Sequence, residues 1–481
     1  MLNQRQAITI QPDDAAVAND RRYRRMRFYC GVLLCLVTLL PFGETQAATA
    51  KLDFTLHKQG STPAAPTLLI IGGIQGDEPG GFNAASLLVT DYQIDYGNVW
   101  VVPNLNFESI VQRSRGVHGD MNRKFLDLAK DDPEYDTVKK IKDIILSKQV
   151  DVVLNLHDGS GYYRPRHQDS LRGPHRWGQS LIIDQAELPN ARHGNLYDTG
   201  ERVIRRVNQR LLDPEHRYHL KNTRTREGDR EMEKTLTYFA VRNDKAAFGV
   251  EASKSMNTAF RAFYHLNVIE AFMQEMGIEY RRDFALEPTH VKQAIEKELY
   301  LAMFNKRLFL DMTNARDWLR YVPMTPQQPM QVETSNPLLA VVGEGRHYKV
   351  RYGNRGVTNL HPQFMEFDDS LKYIPVLVDD RYQLVRPGET IKVRNNFMVI
   401  PQAEYRVNII GFVHDGVDDE AGVFVSHGNF MPRFSIDRQA KKFRVEVYRG
   451  DKFSGMILAN FTQKPPVESA VDLAYYPRQA D

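Results

Sequence analysis

Two carboxylates, an amide, a histidine and a group of arginines stand where apolar runs give way to polar loops. Gln75-Gly76-Asp77-Glu78 follows the run Thr67–Ile71 and the turn Gly72-Gly73, and Pro79 opens a predicted helix. Proline suits a first helical turn, where its missing N–H has no partner to lose. Residues 75 and 78 are three apart across a strand-to-helix turn, so both side chains can enter one pocket above a sheet. Glu78 is a good zinc ligand, and the Gln75 amide oxygen is a weaker one. Alone, such a tetrapeptide is more often a surface loop with a helix-capping acid. His157 closes the predicted strand Asp151–Leu156 and precedes Asp158-Gly159. With Gln75 and Glu78 it makes a candidate three-ligand site that leaves a fourth position for water. Glu251 follows the apolar run Ala247–Val250. A carboxylate at a strand end in such a crevice can take a proton from water held by a metal. Alone, it reads as a salt-bridged surface acid.

Arg113, Arg115, Asn122 and Arg123 crowd the loop-like segment Gln112–Phe125. Guanidinium forks bind carboxylates in a bidentate way, although an isolated arginine cluster is usually a solvated face. Gly159–Trp177 is a long loop with Tyr162, Tyr163, Arg164, Arg166, Arg172, Arg176 and Trp177. Its basic surplus and aromatics suit an anionic ligand.

The elements that must position these groups alternate between the two periods up to about residue 285. Helices are predicted over Pro79–Thr90 and Tyr135–Lys148, and strands over Thr67–Ile71, Asn98–Pro103, Val150–Leu156, Leu181–Asp184 and Ala247–Val250. That alternation points to an α/β domain, a mostly parallel sheet with helices on both faces and its site beyond the carboxyl ends of strands. A helical linker is expected from Pro288 to about Lys306. Beyond Leu308, short alternating runs separated by turn residues such as Gly343, Gly345, Pro387-Gly388 and Asp415-Gly416 predict antiparallel sandwiches. The expected divisions are 49–285 for the catalytic domain, 286–385 for a β-rich domain and 386–481 for an immunoglobulin-like β-sandwich.

The first 48 residues have the order of an export signal. Arg21, Arg22, Arg24, Arg25 and Arg27 precede an apolar stretch from Phe28 to Phe42, and Ala47, Ala48 and Ala50 follow. Cleavage is expected near Ala47 or Ala48, giving a periplasmic protein, with an uncleaved anchor as the alternative. The apolar stretch is shorter than the ~20 residues that span a bilayer comfortably. Both cysteines, Cys30 and Cys35, fall inside this segment, so the mature chain has neither a disulfide scaffold nor a cysteine nucleophile. Beyond residue 48 the chain carries 57 basic and 56 acidic residues, which gives no argument for nucleic-acid binding.

The order Q-x-x-E at Gln75 and Glu78, then Arg115…Asn122-Arg123, then His157, then Glu251 resembles the zinc carboxypeptidases. Usual members carry histidine where this chain has Gln75. The glutamine form is similar to the D,L-carboxypeptidases that trim peptidoglycan in helical and curved bacteria. The likeness covers residues 65 to about 260, and the layout of a peptidase followed by two β-rich domains also agrees. It implies a zinc-carboxypeptidase-like mixed sheet flanked by helices, followed by two small β-sandwich domains. It also implies one Zn²⁺ held by Gln75, Glu78 and His157, and Glu251 as general base and later acid. Arg115, Asn122 and Arg123 would hold substrate carboxylates, with Trp177 and Thr237 as further substrate contacts. An aromatic acid partner is not placed by the sequence, Tyr162 and Tyr238 being the nearest guesses. The reaction implied is release of meso-diaminopimelate from the tripeptide stem L-Ala-γ-D-Glu-mDAP, contributing to cell shape. Two alternatives stand beside it: a deacylase on the same fold, and a non-catalytic peptidoglycan-binding scaffold. The C-terminal domains are candidates for docking cell-wall proteins.

Overall fold

The computed structural model of the chain describes residues 52–60, 62, 64–326, 331–412 and 418–462. The basic and apolar leader expected at 1–48 lies outside these residues, with both cysteines. Among the described residues, no helix is long and apolar enough to cross a membrane.

The α/β half is built on strands β1 (His57–Gln59), β2 (Thr67–Ile71), β3 (Tyr92–Tyr96), β4 (Asn98–Val102), β5 (Val152–Gly159), β6 (Tyr162–Tyr163), β7 (Arg172–Gly173), β8 (Ser180–Ile183), β9 (His219–Asn222), β10 (Ala246–Ser253) and β11 (Glu279–Arg282). Between them run helices α1 (Pro79–Asp91), α2 (Phe107–Gln112), α3 (Tyr135–Ile145), α4 (Leu196–Val207), α5 (Leu236–Arg242), α6 (Thr258–Glu275) and α7 (Pro288–Ile295). Seven strands form one mixed sheet in the order β1-β4-β2-β5-β10-β8-β9. Every residue of β2, β5 and β10 is buried, as strands covered on both faces require. β2 runs parallel to both β4 and β5, and β5 parallel to β10. β8 is antiparallel to β10 and β1 to β4, so the sheet is mixed.

α3 and α4 bury one stripe each, Val138, Ile141 and Ile145 in the first and Val203, Ile204 and Val207 in the second. α1 and α6 are instead buried through most of their length and pack on each other. Their first turns are tied to β5 by one carboxylate. Asp158 accepts from the Gly80 N–H at 2.8 Å, from Arg261 at 2.6 Å, and faces His265 Nε2 at 3.1 Å.

Two expectations are corrected at the level of elements. The strand expected to end before His157 continues through Gly159, and β10 likewise runs past Val250 to Ser253, so His157 and Glu251 are strand residues. The helical linker to Lys306 stops at Ile295, and Tyr300–Met303 is a strand. The segment is rich in helix formers. Pairing with Leu308–Asp311 on one side and Val332–Thr334 on the other overrides that preference. Phe304, Asn305 and Lys306 form the intervening turn with φ of 56, 55 and 65°.

The remainder is β-rich, as expected. A four-stranded sheet comprises Trp318–Met324, Leu339–Glu344, His347–Tyr352 and Arg355–Phe364. Two further four-stranded sheets lie between Ile374 and Phe461. Pairing is mostly antiparallel, but Trp318–Met324 runs parallel to Arg355–Phe364. The first β region shares its core with the α/β half: Leu68, Leu154 and Phe248 belong to one apolar cluster with Leu301, Leu319, Val350 and Leu360. A second core gathers Leu371, Ile374, Val385, Ile391, Phe443 and Phe461, so residues on both sides of Val385–Pro387 pack together.

Candidate active site

The parallel order of β2, β5 and β10 brings three carboxyl ends side by side. Glu251 stands opposite His157 in the ladder, and Ile71, at the end of β2, stands opposite Asn155. The loop after β2 then carries Gln75 and Glu78 over the end of β5. Gly76 permits this path, since a Cβ there would lie 2.1 Å from the backbone of Ser109. The nine residues to which the resemblance gives roles line one cleft of about 270 Å³: Gln75, Glu78, Arg115, Asn122, Arg123, His157, Trp177, Thr237 and Glu251.

At its floor three donor atoms converge. His157 Nδ1 lies 3.1 Å from Gln75 Oε1 and 3.0 Å from Glu78 Oε2. Around a tetrahedral zinc ion, bonds of roughly 2.0–2.2 Å set ligand atoms roughly 3.3–3.6 Å apart. The separations here are slightly shorter, and the donor set, one nitrogen and two oxygens with a single negative charge, suits such an ion. Among the described residues no three His, Cys, Asp or Glu side chains form a metal-holding group. Here the third donor is an amide.

Which end of that amide faces the site is decided by a neighbour the sequence did not single out. Gln75 Nε2 donates to Asp120 Oδ1 at 2.8 Å, which turns Oε1 toward His157. Asp120 also accepts from Arg115 Nε at 3.1 Å and from the Asn122 N–H at 3.0 Å. Glu78 is held at both oxygens. Its Oε2 accepts from the Asp158 N–H at 3.1 Å, while Oε1 faces Lys254 at 3.4 Å and Arg115 at 3.6 Å. Lys254 also pairs with Asp77 at 3.0 Å. Burial alone would lower the His157 pKa, but the bond and charge of Glu78 more than reverse it.

Glu251 is buried, and its Oε2 has no hydrogen-bond partner among the described residues. Burial pushes its carboxyl up to about 8, against the opposing pull of His157 and with the Glu78 and Asp158 charges adding to the rise. A Cβ on Gly159 would stand 2.6 Å from Glu251 Oε2, so glycine there leaves the carboxylate its space.

The arginines divide. Arg123 lines the cleft, with Glu231 3.6 Å from its Nε and the Asn122 carbonyl accepting from Nη1. Asn122 spans the wall: Oδ1 accepts from the Leu236 N–H at 3.0 Å, and Nδ2 lies 3.4 Å from His157 Nε2. Arg113 is not part of the site. It caps α2 in a left-handed conformation (φ 56°) and donates to the Asn354 carbonyl. The loop Gly159–Trp177 also differs from expectation. Arg164 is buried on the carbonyls of Tyr163, Glu215 and Arg217, and Arg172 pairs with Asp169 and Glu215. These arginines tie the loop down, and Gly159, Ser160 and Trp177 are its residues that line the cleft. Neither Tyr162 nor Tyr238 lines it. Thr237 lies 3.2 Å, oxygen to oxygen, from Thr235.

Trp177 is itself held. Lys221, on β9 opposite Ile182, sets its ammonium 3.6 Å from the Trp177 ring centroid and donates to the Pro174 and Arg176 carbonyls at 3.2 Å each. Burial lowers the Lys221 pKa to about 8, with Glu251 opposing. The cation that braces the indole is thus lost as pH rises past about 8. KM of the wild type should rise through that pH. Lys221→Met should raise KM about three- to tenfold at neutral pH, the worth of one cation–π contact, and abolish the alkaline rise. Steady-state kinetics across pH 6–9 reads both, and an unchanged KM profile in the variant would refute the bracing role.

Residues 46–296 match the family described as the catalytic domain of a carboxypeptidase controlling helical cell shape. Residues 367–462 match a C-terminal domain of metallo-carboxypeptidase. No curated protein sequence gives a significant match. The structure is similar to that of apo Csd4, a cell shape determinant of Helicobacter pylori, at 39% identity and TM-score 0.80, covering 85% of this chain and 100% of that one. Tripeptide-bound Csd4 matches with the same identity and coverage and a TM-score of 0.79. The mDAP-bound form of Csd4, described as a D,L-carboxypeptidase, matches at 39% identity and TM-score 0.80 over 84% of this chain and 100% of that one. The chain belongs to the family of carboxypeptidases controlling helical cell shape.

Proposed function

We propose that the protein is an exported, zinc-dependent D,L-carboxypeptidase that trims the peptidoglycan tripeptide stem to a dipeptide by releasing meso-diaminopimelate. The observation that carries this reading is the convergence of Gln75 Oε1, Glu78 Oε2 and His157 Nδ1 beside the buried, unpartnered carboxylate of Glu251. The basic and apolar leader supports export to the periplasm.

Gln75, Glu78 and His157 hold the ion. Zinc bound there supplies Lewis acidity toward a carbonyl oxygen and acidifies water. Arg123 takes the terminal carboxylate of the stem peptide, with Arg115 and Asn122 beside it. Trp177 and Thr237 bound the pocket for the departing residue. The positive charge of a bound ion would favour the ionised form of Glu251, whose Oε2 then accepts a proton from the attacking water and returns it to the leaving amine.

A neutral amide donates less charge than imidazole, so the ion is held weakly and is lost readily to chelators. Asp120→Ala removes the acceptor that fixes the Gln75 amide and should lower zinc affinity a further ten- to hundredfold, as loss of a ligand-orienting partner does. Competition against a chelator with metal analysis checks both statements. Zinc that stays stoichiometric through extended chelation would overturn the first. The function itself is tested by mass spectrometry of muropeptides incubated with the mature protein. Chelator-sensitive conversion of tripeptide to dipeptide stems is expected, and no conversion with zinc supplied would favour the scaffold reading.

A further inference from the structure

The seam between the two β-rich regions carries a groove that the catalytic reading does not use. One cleft of about 630 Å³ lies between Arg316–Tyr321 and Arg433–Ile436, and a second of about 470 Å³ continues past Tyr321 and Phe434 toward Phe364 and Arg406. We propose that this groove binds the peptide-bearing glycan strand of the cell wall, holding the enzyme on its polymer while the active site trims a stem.

The groove shows construction rather than chance exposure. Trp318 is 48% exposed and Tyr321 56% exposed, although both belong to a strand. Trp318 packs on the His347 and His361 rings, with centroids at 5.5 and 4.9 Å, and still stays half exposed. Tyr321 has a φ of 55°, where the register with Arg355–Phe364 shifts. Non-glycine residues rarely adopt that conformation, and such positions gather at functional sites. The bulge is pinned by a buried guanidinium: Arg444 donates to the carbonyls of Arg320 and Tyr321 at 2.7 and 3.0 Å and pairs with buried Glu446 at 3.1 Å. Across the seam the Arg316 N–H bonds the Ile436 carbonyl at 2.8 Å, and Arg316 Nε bonds Ser435 at 2.8 Å. Arg320 projects from the exposed face with no hydrogen bond or ion pair from its guanidinium among the described residues.

Uncovered aromatic rings suit the apolar faces of sugars, and arginines suit carboxylates. A neutral glycan does not need the arginines, and an acidic protein segment does not need the uncovered rings. A wall strand offers sugar faces and stem carboxylates together. This inference rests on the cell-wall reading of the active site.

The test is co-sedimentation of the full mature protein with intact purified sacculi, set beside equilibrium binding to the soluble glycan strands that an amidase releases from them by removing the stem peptides. Soluble tripeptide muropeptide is hydrolysed in parallel. Trp318→Ala, Arg320→Ala and Tyr321→Asn are the variants, asparagine being chosen because it tolerates positive φ. Each should weaken binding to intact sacculi, by about tenfold for Trp318→Ala and Arg320→Ala combined, while kcat/KM on the soluble substrate stays within about twofold. Amidase cleavage removes the stem carboxylates and leaves one lactyl carboxylate on each muramic acid, so on the released strands the effect of Arg320→Ala should shrink and that of Trp318→Ala persist in full. Wild-type levels of sedimentation in all variants, or no sedimentation of the wild type, would overturn the groove. Loss of an acidic protein partner with wall binding intact would overturn it too. Failure to hydrolyse the soluble muropeptide would instead strike the active-site reading.

Discussion

Glu251→Gln is expected to lower kcat about a thousandfold while leaving zinc content and KM near their wild-type values. The estimate is the middle of the 10²–10⁴-fold range for a positioned proton acceptor. Glutamine keeps the size of the side chain in a space already limited by Gly159, and its amide is too weak a base to take the proton. The loss cannot come from unfolding. Burial raises the carboxyl to about 8, above the ordinary ~4.3, so ionising it opposes folding and a neutral amide relieves that cost. Thermal melts of the metal-free proteins should therefore show Glu251→Gln at or above the wild-type Tm. A variant that keeps more than a tenth of wild-type kcat on tripeptide muropeptide would assign proton transfer to another group.

Asp158→Ala is expected to produce the largest loss of stability, about 3–5 kcal/mol, the usual result of removing one partner from a buried ion pair. Asp158 is fully buried, yet three donors meet on it: the Gly80 N–H, Arg261 and His265. Removing it strands a guanidinium and frees the first turns of α1 and α6 from β5. Burial alone would raise the Asp158 pKa, but the His265 bond and the Arg261 charge more than compensate and hold it below the usual carboxylate range. The sign follows. A depressed carboxyl contributes its stability fully above the unfolded value near ~3.9 and loses it as pH falls through the lower folded value. The gap between wild type and Asp158→Ala should thus be widest at neutral pH and close in strong acid. Urea denaturation across pH 3–7 checks it, and a constant gap would refute the assignment.

What could be read from the sequence was whatever a single segment carries. Gln75, Glu78, His157 and Glu251 each follow or lie within an apolar run, and in an open α/β sheet the ends of such runs share a crevice. What could not be read was pairing. Asp120 meets Gln75 from 45 residues away, and Lys221 meets Trp177 across a loop and a helix. Both are ordinary surface residue types in their own segments. The strand Tyr300–Met303 failed for a related reason: its local preference is helical, and only its neighbours in the sheet make it extended. The Gly159–Trp177 arginines misled in the opposite direction, since charge density in a loop does not tell whether the charges face a ligand or the loop's own carbonyls.

The shared core has a consequence for how the molecule is lost. Leu68 and Leu154 beneath the cleft and Leu360 in the first β sheet belong to one apolar cluster. Polar ties reinforce it: Ser86 bonds Asn336 at 2.9 Å and Asn104 bonds the Pro337 carbonyl at 3.0 Å. The catalytic strands and that sheet therefore melt as one cooperative unit. Thermal inactivation is then governed as much by residues such as Leu319 and Val350 as by anything near the cleft. The peptidase is not a detachable module, and its shelf life is set downstream.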